Sequence, residues 1–251
     1  MTSDPAALLC GVGVQYGTFA ALTGVDLRID PGERVALVGS SGAGKSTLLS
    51  LLAGLVSATT GSVAVLGSDL STLSGRRLRR HRRRVGIVPQ QLQLTGSLKV
   101  LHNVNAGQLG QWSTPAALAS LVRPVGQDQV REALRSVGME PWLHSRTEEL
   151  SGGEQQRVAV ARVMRQEPEL ILADEPVSAV DPALSETVLG CLCRANTERR
   201  ATVVVSLHEP DLARRFATRV IGLRHGEVVF DLAPEQLGPP ELDELYKRIE
   251  R

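Results

Sequence analysis

Short apolar runs and turn sequences alternate through the N-terminal part of the chain. This pattern predicts strands at residues 8–14, 22–29, 34–38, 62–66 and 85–88. Between them, helices are predicted at residues 46–55, where apolar side chains dominate, and at 76–84, which is almost entirely arginine. Continuous apolar runs such as 35–38 are typical of strands that are buried on both faces of a parallel sheet.

The pattern changes at about residue 98, where helical periodicity replaces strand-like runs. We expect helices at 98–109, 115–122, 127–137 and 153–166, and no strand between 98 and 149. The rest alternates strands at 170–173, 202–206, 220–223 and 227–230 with helices at 182–195 and 210–216. The predicted fold class is α/β, with a largely parallel sheet, N-terminal antiparallel strands and an inserted α-helical subdomain at roughly 98–165. We expect one domain over residues 1–251, with a short C-terminal tail from about 234.

Composition narrows the class of protein. The 251 residues are 42% hydrophobic and 22% charged with a net charge of +1, which fits a soluble globular domain and gives no general argument for a nucleic-acid partner. We find no apolar run long enough to span a membrane and no N-terminal secretion signal. The three cysteines (Cys10, Cys191 and Cys193) form no Cys-x-x-Cys pair, so we expect reduced thiols in a cytosolic protein and no zinc site.

The arginine run at residues 76–84 has three interpretations. As a helix it would be cationic on nearly every face, and the simplest interpretation is a solvated surface helix. It could also contact anionic lipid headgroups or an acidic loop of a partner. Nucleic acid is the least favoured partner, because no aromatic side chains are interleaved to stack on bases.

A glycine-rich loop after the third predicted strand carries the strongest chemical signal. It follows the G-x-x-x-x-G-K-[ST] pattern, which cradles a polyphosphate with backbone N–H groups at the start of a helix. Its lysine supplies a cation for the β- and γ-phosphates, and the following serine hydroxyl can ligate Mg²⁺. The loop consists of Gly39, Ser40, Ser41, Gly42, Ala43, Gly44, Lys45, Ser46 and Thr47. The core is therefore predicted to be a P-loop NTPase.

Two carboxylates end the buried strand predicted at 170–173. Asp174 is expected near the Mg²⁺ shell, and Glu175 is expected to reach the water that attacks the γ-phosphate. A second anion cradle, formed by Ser151, Gly152 and Gly153, precedes the helix predicted at 153–166. Since one nucleotide needs one loop, the second cradle suggests a nucleotide that is held by a second copy of the protein.

Taken in order, these motifs resemble the nucleotide-binding subunit of ABC transporters. The resemblance covers roughly residues 8–231 and implies roles for further residues. Tyr16 matches the aromatic residue that stacks on adenine, and Gln90 matches the glutamine that senses Mg²⁺ and faces the membrane partner. His208 matches the switch histidine that contacts the γ-phosphate. The segment 150–155 matches the signature motif and 178–181 the D-loop, whereas His102 and Pro89 depart from the usual pattern.

Within that family the chain is most similar to phosphonate importer ATPases, in segments 103–110, 203–213 and 220–226. The resemblance implies a homodimer that binds ATP and Mg²⁺, drives transmembrane permease subunits and depends indirectly on a solute-binding protein. It also implies a peripheral position on the cytoplasmic face of the inner membrane and no nucleic-acid partner. Alternatives are the ATPase of an exporter or lipoprotein-release system, a non-transport ABC protein, and a P-loop kinase, which would not explain the signature motif or His208.

Overall fold

The chain builds two sheets with helices against both faces of the larger one. A computed structural model describes residues 4–113, 115, 117, 119–120, 125–178 and 181–247. Its strands are β1 (Ala7–Tyr16), β2 (Phe19–Ile29), β3 (Arg34–Val38), β4 (Thr60–Val65), β5 (Ser68–Asp69), β6 (Val85–Val88), β7 (Leu170–Asp174), β8 (Thr202–Ser206), β9 (Arg219–Arg224) and β10 (Glu227–Leu232). Its α-helices are α1 (Lys45–Leu52), α2 (Gly75–Arg84), α3 (Val100–Asn105), α4 (Gln127–Ser136), α5 (Gly152–Gln166), α6 (Pro182–Arg199), α7 (Pro210–Phe216) and α8 (Pro239–Tyr246).

The larger sheet has six strands in the order β10-β9-β3-β8-β7-β6. Strands β9, β3, β8, β7 and β6 are parallel to one another, and β10 pairs antiparallel with β9 at the edge. The smaller sheet, in the order β2-β1-β4-β5, is antiparallel throughout. The α/β fold class with N-terminal antiparallel strands and a largely parallel sheet is therefore confirmed.

The parallel strands separate two hydrophobic cores. In β3, Val35 and Leu37 pack with the antiparallel sheet and α1, whereas Ala36 and Val38 pack with α5 and the helices beyond it. Strand β7 alternates in the same way. Such two-sided burial explains why β3 and β7 are apolar over residues 35–38 and 170–173, since neither face meets water there.

The carboxyl ends of β3, β8 and β7 lie side by side at one edge of the large sheet, because the three strands are adjacent and parallel. Val38, Ser206 and Asp174 are their last residues. In open α/β sheets, ligands bind at this edge. The glycine loop follows β3 there, so the sheet order brings the loop and the carboxylates to one place.

Helices α3, α4 and α5 pack on the second core through apolar residues such as Val104, Leu134 and Val158. The predicted helix at 98–109 is shorter, because α3 ends at Asn105 and a 3-10 turn follows over Ala106–Gln108. Much of the helix predicted at 115–122 lies outside the described residues. The prediction of no strand up to residue 149 needs one amendment, since Lys99 and Arg146 form an isolated bridge.

Two other helix ends differ from the sequence prediction by three residues or more, and the predicted tail contains a helix. Helix α1 stops at Leu52 rather than 55, before Gly54 with φ +64°. Helix α6 runs four residues further than predicted, to Arg199, and ends where Arg200 takes a left-handed conformation. The tail contains α8, which starts with two prolines, residues that favour the first turn of a helix.

The sequence predicted that α2 is cationic on nearly every face, but one side of the helix is partly buried. His81 is buried, and the Arg82 guanidinium donates to the Gly54 carbonyl at 2.7 Å. At its end, Arg84 forms a two-armed ion pair with Glu169, at 2.6 and 2.8 Å. The remaining arginines lie in solvent. No helix within the described ranges combines the length and hydropathy needed to cross a bilayer.

Candidate functional site

The glycine loop depends on positions that no other residue could fill easily. Gly39 has φ +150°, and a Cβ there would lie 2.2 Å from the Leu223 carbonyl oxygen. Gly44, the residue before α1, has φ +106°, and its Cβ would lie 2.8 Å from the Ala21 carbonyl. The loop therefore approaches the neighbouring backbone closely and curves into the helix start, which is the geometry of an anion cradle.

Lys45 is buried at the first position of α1. Its Nζ donates to the carbonyls of Gly39 at 2.7 Å and Ser40 at 3.0 Å, so the ammonium lies inside the curve of the loop. Burial lowers the pKa of Lys45 below its ordinary value, and the nearby Glu175 and Asp174 carboxylates partly oppose that change. The loop lysine and the two strand-end carboxylates therefore lie close enough to interact electrostatically.

One hydroxyl connects the two carboxylate residues. Ser206, the last residue of β8, is 0% exposed and lies opposite Asp174 in the parallel register. Its Oγ donates to Asp174 Oδ1 at 2.7 Å and accepts the Glu175 N–H at 2.8 Å. The buried Asp174 carboxylate is therefore fixed by a neighbouring strand rather than left to rotate.

The Glu175 carboxylate contacts two predicted site residues. His208 Nε2 lies 2.5 Å from Oε1, and the Gln90 amide donates to Oε2 at 3.3 Å. Glu175 is mostly buried, whereas about half of the His208 side chain is exposed. These residues come from the ends of β7, β8 and β6, so the sheet edge gathers them from three distant parts of the sequence.

The backbone of Glu175 adopts a conformation that is uncommon for a side-chain-bearing residue, with φ +51°. The strain of a left-handed non-glycine residue is about 1–2 kcal/mol. Its carbonyl accepts from Gln156 Nε2 at 2.6 Å and from the Ser178 hydroxyl at 3.1 Å. The chain therefore turns sharply after β7, and hydrogen bonds from two other residues hold the turn.

The second cradle is well formed but separate from the glycine loop. Ser151 caps α5, with its Oγ accepting the Glu154 N–H at 3.4 Å. In return, Glu154 Oε2 accepts from the Ser151 N–H and hydroxyl, both at 2.8 Å, and these bonds hold the pKa of Glu154 below its ordinary value. Gly152 and Gly153 form the first turn of α5. The described hydrogen bonds of Ser151 are local, so the structure does not join this cradle to the loop of the same chain.

The remaining predicted residues lie where a ligand could reach them. Tyr16 is 50% exposed at the tip of the β1–β2 hairpin, opposite Phe19, which is 61% exposed. Ser46 and Gln90 are exposed, and Thr47 is half-buried. Of the predicted D-loop, Ser178 and Asp181 are placed, and Ala179 and Val180 lie outside the described residues.

Sequence reasoning missed Ser206 and Gln156. Ser206 stands after three valines, and a hydroxyl at the end of an otherwise apolar strand was a usable signal. Gln156, which is 4% exposed in α5, gave no such signal, because the helix carries several other polar residues near it. Its contact with the Glu175 carbonyl depends on how α5 crosses the sheet edge, which the sequence does not show.

Taken together, a glycine loop after a central parallel strand and carboxylates on a nearby strand define a P-loop NTPase core. Comparison with known proteins adds the family. Residues 22–178 match the ABC transporter family. The chain is 44% identical over 240 residues to the phosphonates import ATP-binding protein PhnC 1 of Pseudomonas savastanoi pv. phaseolicola, covering 95% of this chain and 90% of that protein. It is 45% identical over 230 residues to PhnC of Thiobacillus denitrificans, covering 92% and 88%. The chain therefore belongs to the ABC transporter family.

Solved structures agree with this assignment. A dimeric bacterial ABC transporter cassette superposes with a TM-score of 0.82 at 32% identity, covering 92% of this chain and all of that one. A dimeric ATP-binding cassette in a post-hydrolysis state, bound to ADP and Pi, gives a TM-score of 0.81 at the same identity and coverage. The fold of this chain is thus that of ABC transporter cassettes.

Proposed function

We propose that this chain is the ATP-hydrolysing subunit of an importer for phosphonate or a related phosphorus oxyanion. The observation that carries the ATPase part is the convergence of Lys45, Asp174 and Glu175 at one sheet edge, with His208 and Gln90 on the Glu175 carboxylate. The names of the relatives, which are phosphonate import proteins, support the substrate.

The residues present fit a nucleotide with its metal. The loop leaves no room for a Cβ at Gly39 or Gly44 and encloses a buried ammonium, which suits a polyphosphate. Asp174, Ser46 and Gln90 would hold Mg²⁺, which supplies charge neutralisation and orientation of the phosphate oxygens when bound. Glycines 39, 42 and 44, with Ser40, Ser41, Ala43 and Thr47, would supply the cradle, and Tyr16 would stack on the base.

The chain's own side chains then divide the work of hydrolysis. Glu175 would orient the attacking water and accept its proton at a carboxylate oxygen, as a general base. Lys45 and His208 would stabilise the charge on the transferred phosphoryl group by hydrogen bonding. Since His208 now lies on Glu175 Oε1, the imidazole would have to shift towards the phosphate during the reaction.

A second copy would complete each site. Ser151, Gly152 and Gly153 form a cradle without a phosphate-binding loop of their own nearby, and a head-to-tail homodimer would place the cradle over the nucleotide of the other copy. Both similar solved cassettes are described as dimers, which supports this arrangement. The dimer would lie on the cytoplasmic face of the inner membrane, bound to permease subunits, with a solute-binding protein acting through them.

Transport in reconstituted vesicles tests the proposal. The chain would be reconstituted with the permease and the solute-binding protein of its gene neighbourhood, with ATP on the side that carries the chain. We expect ATP-dependent accumulation of labelled methylphosphonate on that side, and little accumulation with the Lys45→Ala variant. Hydrolysis without phosphonate movement, or movement in the opposite direction, would contradict the importer and favour the exporter alternative.

A further inference from the structure

The peptide units on either side of Glu175 are held by two buried side chains that come from different elements. The Ser206 hydroxyl, from β8, accepts its N–H at 2.8 Å. The Gln156 amide, from α5, donates to its carbonyl at 2.6 Å. We propose that Ser206 and Gln156 are positioning residues that set the direction of the Glu175 carboxylate. This inference rests on the proposed role of Glu175 as the residue that orients the attacking water.

The Ser206 hydroxyl forms hydrogen bonds to two groups through the same oxygen atom. Its hydrogen points towards Asp174 Oδ1, 2.7 Å away, where the carboxylate oxygen accepts the hydrogen bond. The oxygen lone pairs are then available for the Glu175 N–H. Because Ser206 is fully buried, solvent water has no access with which to replace it. The orientation of Asp174 and the backbone turn at Glu175 therefore depend on the same atom.

The Gln156 contact brings a different element to the same residue. Gln156 lies five residues after Ser151, about 7–8 Å along the axis of α5. A helix of this length moves as a rigid rod, so a shift of its first turn reaches the Glu175 carbonyl. In the proposed dimer, the nucleotide that occupies the cradle of α5 belongs to the other copy. The direction of Glu175 in one site would thus depend on occupancy of the other.

These two hydrogen bonds do more than satisfy buried polar groups, because they also stabilise a strained backbone conformation. Glu175 has φ +51°, and such conformations persist only where the surroundings determine them. If one clamp is removed, the turn can relax towards the ordinary extended region, and the carboxylate moves with it. A misplacement of about 1 Å can lower a rate by about 100-fold.

Three variants test the assignment: Ser206→Ala, Gln156→Met and the control Thr202→Val. Thr202 is a buried residue at the opposite end of β8, and its Oγ1 accepts the Gly32 N–H at 3.0 Å. The control therefore removes a buried hydroxyl from the same strand, far from the site. We would measure turnover, the half-saturating Mg²⁺ concentration, ATP affinity and, without nucleotide, hydrogen exchange of the Glu175 amide by fragment mass spectrometry.

The two contacts predict different results. Ser206→Ala should lower turnover by up to about 100-fold, raise the half-saturating Mg²⁺ concentration and speed exchange of the Glu175 amide. Gln156→Met should lower turnover with little change in the Mg²⁺ dependence, because the Gln156 amide donates to the Glu175 carbonyl, whereas the hydroxyl that donates to Asp174 is that of Ser206. Thr202→Val should lower thermal stability and change none of these measurements. The inference is overturned if Ser206→Ala and Gln156→Met lose no more turnover than Thr202→Val.

The Glu175→Gln variant, alone and combined with the other substitutions, distinguishes failure of this inference from failure of the proposed function. If Glu175→Gln hydrolyses ATP at the parent rate, the role of Glu175 is wrong and the inference falls with it. If Glu175→Gln is impaired while Ser206→Ala and Gln156→Met are not, only the inference is wrong. When both hold, adding Gln156→Met to Glu175→Gln should lower turnover little further, because Gln156 acts through Glu175. Adding Ser206→Ala should do the same at saturating Mg²⁺, where its effect through Asp174 is suppressed. Since Gln156→Met leaves Ser206 in place, the test remains decisive even if Ser206→Ala does not fold.

Discussion

At the scale of single residues, Lys45 shows how a motif residue is prepared for its ligand. Its amine is buried, and keeping it protonated there would cost free energy without hydrogen-bond partners. Two loop carbonyls accept hydrogen bonds from it. Asp174 and Glu175 favour its charged form and oppose the lowering of its pKa by burial. The sequence pattern predicted the identity of this cation, whereas the carbonyls that hold it depend on loop geometry that no side-chain pattern encodes.

We expect Lys45→Ala to weaken ATP binding by at least about 100-fold, because charge-assisted hydrogen bonds contribute about 1.5–3 kcal/mol each. Isothermal titration with ATP and Mg²⁺ measures the loss, and circular dichroism checks that the variant is folded. Lys99→Ala removes an exposed lysine elsewhere and serves as the matched control. Unchanged affinity in folded Lys45→Ala would show that the loop does not bind phosphate as proposed.

At the scale of elements, α2 combines a solvent-exposed arginine surface with one buried histidine. His81 is 3% exposed, and neither of its ring nitrogens has a hydrogen-bond partner. Burial lowers the pKa of His81 below its ordinary value, and the nearby Arg84 and Arg82 lower it further, with Glu169 opposing them. The sequence predicted the helix but not its buried face, because a histidine among arginines gives no apolar periodicity.

The buried imidazole makes folding sensitive to mild acid. The folded-state pKa of His81 lies below the unfolded value of about 6.5, so the unfolded chain binds more protons there as the pH falls. Stability from this group is therefore lost as the pH drops through about 6.5. We expect His81→Leu to keep more of its stability than the parent between pH 7.5 and pH 5.5.

Urea denaturation of both proteins at the two pH values measures this difference, and effects of other groups cancel in the comparison. Replacing an unpartnered buried polar group by an apolar one should cost little stability at pH 7.5. An identical pH dependence for parent and His81→Leu would mean that His81 does not couple protonation to folding.

At the scale of the whole molecule, the sheet order decides which distant residues meet. The sequence predicted most strands and the residue types at their ends, because the inner positions of parallel strands buried on both faces are mostly apolar. It could not predict that β8 lies between β3 and β7, and so it missed Ser206 between the loop and the carboxylates. Helix ends such as those of α1 and α6 were also misplaced, since they depend on left-handed residues beyond the apolar pattern.

We expect Glu175→Gln to lower ATP turnover by about 10²–10⁴-fold and to retain ATP binding. With hydrolysis blocked and Lys45 and Ser46 intact, Mg-ATP should hold two copies together through their α5 cradles. Sedimentation velocity with and without Mg-ATP measures the dimer. Glu209→Gln, which changes an exposed carboxylate lining the same cavity of about 310 Å³, should behave like the parent. A Glu175→Gln variant that stays monomeric at saturating Mg-ATP would contradict the proposed head-to-tail homodimer.

The position of β3 between two cores limits how its sequence can evolve. Each of its last four residues contributes to one of the two cores, the strand as a whole belongs to both, and it leads directly into the glycine loop. A substitution that suits one core shifts the strand against the other, so the acceptable replacements must satisfy two environments at once. We therefore expect amino-acid substitutions to be accepted less often in β3 than in the layers on either side of it.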